Sequence, residues 1–109
     1  TPTGSTAYSL SAGGPIVAPS CRSLLLTPLS PHNLTMRPLL IPDTSEITLR
    51  ISTRNNEGSI SVDNRTFKVA DGASVVIKRA ERYISLAVPH NNSFFDSLRN
   101  KMMWGVDIR

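Results

Sequence analysis

Between Ile47 and Val88 the chain changes character every ten residues or so, short apolar-polar alternations being separated by residues that favour turns. This spacing constrains the fold most, because side chains repeat with period two on a strand and with period 3.6 on a helix. Ile47, Leu49 and Ile51 alternate with Thr48, Arg50 and Ser52, the pattern of a half-buried strand that turns Arg50 to solvent. Arg54 to Gly58 is polar and ends in glycine, which predicts a hairpin-like connection to a strand carrying Ile60 and Val62. Asp63-Asn64 tolerates left-handed backbone and predicts a two-residue turn into Arg65–Val69, with Phe67 and Val69 on one face. Asp71-Gly72 makes the next turn. Two further strands follow over 74–80 and 83–88, with Val75 and Ile77, then Ile84, Leu86 and Val88, facing inward.

Upstream, Ser23 to Leu29 is a short apolar run bounded by turn formers, a buried strand that Pro28 pushes towards an edge or a bulge. Met36 to Pro42 is a second extended segment, since Pro38 disfavours helix at Arg37. After Pro89 the period changes. Ser93 is placed to cap a helix in which Phe94, Phe95, Leu98, Met102 and Met103 recur near helical spacing, a packing face that Trp104-Gly105 ends. The predicted fold class is mainly β: one antiparallel β-sandwich-like domain over residues 1–109, with a short N-terminal helix and a C-terminal helix.

With 39% hydrophobic and 18% charged residues over 109 positions, the chain has the balance of a modest globular core, and no apolar run is long enough to span a membrane. The net charge of +4 and an isoelectric point near 9.8 favour anionic partners. The basic residues are dispersed from Arg22 to Arg109 as solvated positions with no dense block, which argues against nucleic acid as a partner. Cys21 is the single cysteine, so it forms no internal disulfide; it is expected buried as a small hydrophobe, and a reducing compartment fits. His32 and His90 are far apart, each beside a proline, and no metal motif is present. The chain opens at Thr1 without a Met, a charged n-region or an apolar h-region, so its start reads as neither a signal peptide nor a natural N-terminus, and the chain is expected to be an internal piece of a longer protein.

The opening run, Thr1-Pro-Thr-Gly-Ser-Thr-Ala-Tyr-Ser-Leu-Ser-Ala-Gly-Gly-Pro15, is rich in small and hydroxyl-bearing residues that let backbone approach a polar ligand. Ser5 or Thr6 is a plausible N-cap of a short helix that Gly13-Gly14-Pro15 stops. The first turn of a helix offers free amides to phosphate or ribose oxygens, although a capped loop without a ligand shows the same pattern. The glycines match neither a Walker loop nor the dinucleotide G-x-G-x-x-G pattern. Arg65, at the start of a strand beside a tight turn, is either a phosphate contact or a surface arginine. No Ser/His/Asp set, carboxylate pair or metal cluster converges in the sequence.

The run TPTGSTAYSLSAGGPIV resembles the hallmark segment of NAD kinases, and PHNLTMRPLLIP, SVDNR and the closing F-F-x-x-L-x-x-K-x-x-W resemble that family's later landmarks in the same order. The resemblance covers nearly the whole chain. It implies the C-terminal part of an ATP- or polyphosphate-dependent kinase that phosphorylates the adenosine-ribose 2′-hydroxyl of NAD to give NADP. It also implies a β-sandwich that forms much of the NAD site and oligomer contacts, a cytoplasmic homo-oligomer, and a divalent cation, magnesium, with the triphosphate donor. Carried over by position, Thr6, Ala7, Tyr8, Ser9, Leu10 and Ser11 match the NAD-binding segment, with Thr3 a further contact. Arg65 falls where bacterial relatives often have Gln, and Asn64 stands beside it. The family's G-G-D-G-T loop and N-E pair would lie upstream, so no catalytic residue is expected in this chain and it should not catalyse alone. Phe94, Phe95, Met102 and Trp104 are expected to be unusually exposed. A stand-alone NAD or NADP module and a related lipid or sugar kinase domain are the alternative readings.

Overall fold

The computed structural model describes residues 1–107. Arg109, counted above among the solvated basic positions, lies outside the described residues. The chain is mainly β, as its alternation predicts: among the described residues six short strands form three antiparallel pairs, with a short helix near the N-terminus and a longer one near the C-terminus. Two compact units divide it, one formed by Thr1–Pro42 with the chain from Glu81 onward, the other by Asp43–Ala80.

In the Asp43–Ala80 unit, β3 (Ile47–Arg50) pairs with β6 (Ser74–Ile77), while β4 (Gly58–Val62) and β5 (Arg65–Val69) form a hairpin between them in sequence. The predicted passage from β3 directly to a paired β4 is therefore incorrect. Residues 54–57 reverse the chain through left-handed Asn55 and Asn56, with φ of 57° and 55°, but β3 finds its partner 24 residues or more downstream. Side-chain and backbone bonds close this nested arrangement. Ile51 donates to the Ala73 carbonyl and accepts from the Gly72 amide, each at 2.8 Å. The Asp71 carboxylate accepts the Thr53 amide at 2.8 Å, and the Asn56 carboxamide oxygen accepts the Asp71 amide at 3.0 Å. The turns were legible: Asp63 and Gly72 take φ of 52° and 81° where the sequence places reversals. Ile47 is buried and Val75 and Ile77 are half-buried, whereas Arg50 is exposed as expected. Arg79 meets Asp43 at 3.2 Å and so ties the last residues of the unit to its first. The arginine is half-exposed, which limits the pair to at most about 1 kcal/mol.

In the other unit, β1 (Ser23–Leu26) pairs with β2 (Leu39–Pro42), from Ser23 opposite Pro42 to Leu26 opposite Leu39. Val17 and Leu98 are its buried apolar residues among those described. Two expectations fail here. Cys21 is exposed, because it sits in a turn whose amide donates to the Ala18 carbonyl rather than in a packed strand. The expected strand over 83–88 does not form. Tyr83, Ile84, Leu86 and Val88 are 67–90% exposed, and alternation alone does not hold a strand that has no backbone partner.

The C-terminal helix α2 (Phe94–Met102) begins as predicted at Ser93. The Asp96 amide donates to the Ser93 hydroxyl at 3.1 Å, and the Ser93 amide donates to the Asp96 carboxylate at 3.2 Å, a reciprocal capping box. Hydrogen bonding to the Ser93 side chain, then to its backbone, holds the Asp96 carboxyl below its ordinary value, with a smaller pull from Arg99. The stabilisation is present above the ordinary carboxylate value and is lost as pH falls through the lowered one. The helix closes slightly early, at Met103, which adopts left-handed φ of 56°. Phe95 and Trp104 are 71% and 65% exposed as expected, whereas Phe94 and Met102 are half-buried.

Candidate functional site

The opening segment folds as a 3-10 turn, Thr3–Thr6, followed by the one-turn helix α1, Tyr8–Ser11, with Ala7 at the break. Neither Ser5 nor Thr6 caps α1. The residue before the helix is Ala7, and no side chain caps it. Ser5 instead turns inward and is fully buried: its hydroxyl donates to the Pro2 carbonyl at 2.6 Å and accepts the Val17 amide at 2.9 Å. A hydroxyl that the sequence offers to a ligand thus fastens the segment to the chain that follows it.

A second fastening lies at the other end. The Ser9 and Thr27 hydroxyls are 2.6 Å apart in a hydrogen bond that ties α1 to the residue just after β1. Gly14 permits this contact. A Cβ added there would lie 2.8 Å from the Ser9 carbonyl oxygen and 3.0 Å from the Thr27 hydroxyl, and closer still to the Ser9 hydroxyl. Gly13 supplies the left-handed φ of 87° that ends α1, as its position in the sequence predicts.

Between these fastenings Thr3, Thr6, Ala7, Tyr8 and Ser11 are exposed, and Ser9 and Leu10 are half-buried. Tyr8 is 71% exposed. Ser11 turns its hydroxyl onto the Tyr8 carbonyl at 2.7 Å, whereas Thr6 reaches the Thr3 carbonyl only at 3.5 Å, at the limit of a hydrogen bond. Asn64 and Arg65 belong to the other unit, where both are exposed at the β4–β5 turn and Arg65 stands opposite Val62.

Open grooves among the described residues border the segment. Tyr8, Ser11 and Ala12 form one with Pro28, Leu29, Ser30 and Pro31, with a volume of about 400 Å³. Thr6 forms the other with Phe94, Ser97, Leu98, Lys101 and Met102, with a volume of about 410 Å³. Both lie within the roughly 300–1,000 Å³ usual for small-molecule sites. Sequence reasoning missed the Pro28–Pro31 wall and Lys101. The first had a local signal, two prolines around Ser30, which takes a left-handed φ of 44°; Lys101 is a fixed position of the closing landmark, but it is separated from Thr6 by most of the chain and had no signal of a binding role.

Among the described residues no group of three or more His, Cys, Asp or Glu is arranged to hold a metal ion. The described residues therefore offer no such set to the divalent cation. No described helix is long and apolar enough to cross a membrane.

Comparison with known proteins agrees with the sequence landmarks. Residues 1–89 match the model of the ATP-NAD kinase C-terminal domain. Over all 109 residues the chain is 48% identical to the NAD kinase of Flavobacterium johnsoniae and 44% identical to that of Bacteroides fragilis. It spans only 37% and 38% of the length of those relatives. The whole chain also superposes on 35% of a crystal structure of yeast NADH kinase complexed with NADH, at 29% identity and a TM-score of 0.82. By its opening segment, its later landmarks and its match to the domain model, the chain belongs to the ATP-NAD kinase C-terminal domain family.

Proposed function

We propose that this chain is the nucleotide-holding part of an NAD kinase, a phosphotransferase that uses ATP or polyphosphate to phosphorylate the adenosine-ribose 2′-hydroxyl of NAD and yields NADP. The observation that carries the reading is the doubly fastened opening segment. Ser5 and Ser9 spend their hydroxyls on Val17 and Thr27, and that bonding leaves Thr3, Thr6, Tyr8 and Ser11 exposed along a fixed stretch of backbone beside two grooves. Fixing the backbone before the ligand arrives reduces the ordering cost of binding.

In this reading Thr3, Thr6 and Ser11 supply hydroxyls, Ala7 and Leu10 supply close backbone, Ser9 holds the helix in place, and Tyr8 offers a ring face with a polar tip. Asn64 and Arg65, carried over from the resemblance alone, stand exposed at the β4–β5 turn of the other unit, where a guanidinium suits a phosphate-bearing ligand. The chain's task is to bind and orient the dinucleotide. Phosphoryl transfer depends mainly on positioning and on neutralising phosphate charge, and the base and the donor-side cation belong to the remainder of the protein. A homo-oligomer and a cytoplasmic setting are part of the same proposal.

The test is the full-length protein incubated with NAD and either ATP or polyphosphate in the presence of magnesium. Formation of NADP is expected, and its absence with both donors overturns the proposal. NADH belongs in the same assay as a second acceptor, because the solved yeast relative holds NADH.

A further inference from the structure

A dinucleotide carries a diphosphate, yet the segment from Thr3 to Ser11 contains no charged residue. Its hydroxyls and backbone can orient such a ligand but cannot neutralise it. The groove shared by Thr6 and α2 has one positively charged residue among its described lining, Lys101. Phe94, Ser97 or Leu98, and Lys101 recur at helical spacing, so one stripe of α2 faces Thr6. Leu98 is buried, Phe94 and Met102 are half-buried, and Lys101 is exposed at the same groove. An apolar wall beside a hydroxyl and an ammonium suits a ligand with both a ring and anionic oxygens.

The other charged groups nearby in sequence are placed differently. Asp96 is engaged in the capping box with Ser93, and neither it nor Arg99 is among the described residues that line this groove. Arg37, elsewhere in the same unit, turns its guanidinium onto the carbonyls of Leu34 and Met36 at 2.7 and 2.9 Å. The Thr6 hydroxyl, held only by a 3.5 Å contact to its own turn, is free to exchange it for a ligand oxygen.

We infer that Lys101 contacts the diphosphate of a dinucleotide that also contacts the Thr3–Ser11 segment, in the groove between Thr6 and α2. The inference rests on reading that segment as a nucleotide wall. It gives α2 a binding role beyond packing and joins two parts of the chain that lie about 95 residues apart in sequence. A lysine ammonium on a flexible stem reaches an anion as a point charge, through charge-assisted hydrogen bonds.

The test measures NAD affinity by calorimetry in full-length protein carrying Lys101→Arg, Lys101→Gln or Lys101→Glu, with thermal unfolding as a control for folding. The expected order is wild type and Lys101→Arg tightest, Lys101→Gln weaker by about 10-fold or more, and Lys101→Glu weakest, because a hydrogen bond to a charged group typically contributes at least that much. A charge-ordered series is not what a purely structural lysine gives. Wild-type affinity in Lys101→Gln, or equal loss in all three variants, overturns the role of Lys101 and leaves the nucleotide wall standing. If the wild type itself binds no NAD, the reading of the opening segment falls, and this inference falls with it.

Discussion

The opening segment, Thr3–Ser11, and the segment from Tyr83 to Val88 both expose several side chains, but for opposite physical reasons. In the first, buried Ser5 and half-buried Ser9 tie the backbone to Val17 and Thr27, and what remains exposed is mainly polar or amphipathic. In the second, the large apolar residues of an alternating strand pattern are 67–90% exposed. Exposure of a fastened backbone is a property suited to binding; exposure of the apolar run over 83–88 accompanies the absence of a paired strand there among the described residues. The exposed residues alone do not separate the two cases. The hydrogen bonds beneath them do.

The sharpest way to break this contrast is to disturb the fastening at Gly14. Gly14→Ala forces a methyl against the Ser9 carbonyl and the Ser9 and Thr27 hydroxyls, and the carbonyl is backbone that cannot step aside. Overpacking of this kind costs typically about 1–3 kcal/mol and occasionally more, so chemical denaturation of the full-length protein should show a loss at the upper end, together with weaker NAD binding. Wild-type stability would mean that the close approach of Gly14 to α1 does not exist.

Ser5→Ala should come next. It leaves the buried Val17 amide without its acceptor, a loss of roughly 1–3 kcal/mol in the same measurement. Ser5→Thr keeps the hydroxyl but adds a methyl to a fully buried site, so it should not restore full stability. An Ala variant as stable as the wild type would remove Ser5 as a fastening and weaken the contrast between the two segments.

On the other side, Ile84→Lys should do little to the 109-residue chain, changing its stability within about 0.5 kcal/mol as surface substitutions usually do, while lowering its binding of a hydrophobic dye. A loss of several times that size would show that Ile84 packs against the rest of the chain, and the two segments would then be alike.

These residues also mark how far the sequence is legible. Turn chemistry at Asp63, Gly72 and Gly13, and the Ser93 cap, depend on residues within a few positions of one another and are found where they are expected. The pairing of β3 with β6 around the β4–β5 hairpin is not legible, because alternation specifies which face a strand buries and not which strand it meets. The same limit explains Tyr83–Val88. In the candidate site, the resemblance identifies the segment, but residue type does not tell an inward hydroxyl from an outward one. Ser5, read as a helix cap, is a buried strut, and Cys21, read as buried, lies in an exposed turn. Lys101 joins the groove with Thr6 only through the fold.

The most direct test of the fastened segment as an NAD wall is the Michaelis constant for NAD of the full-length enzyme carrying Tyr8→Ala. Tyr8 is largely exposed at the first residue of α1, so its loss should leave the fold intact. The account predicts a Michaelis constant raised about 10-fold, the scale on which a well-placed aromatic contact of about 1.4 kcal/mol acts, with unchanged thermal stability. An unchanged Michaelis constant would contradict it and remove Tyr8 from the site.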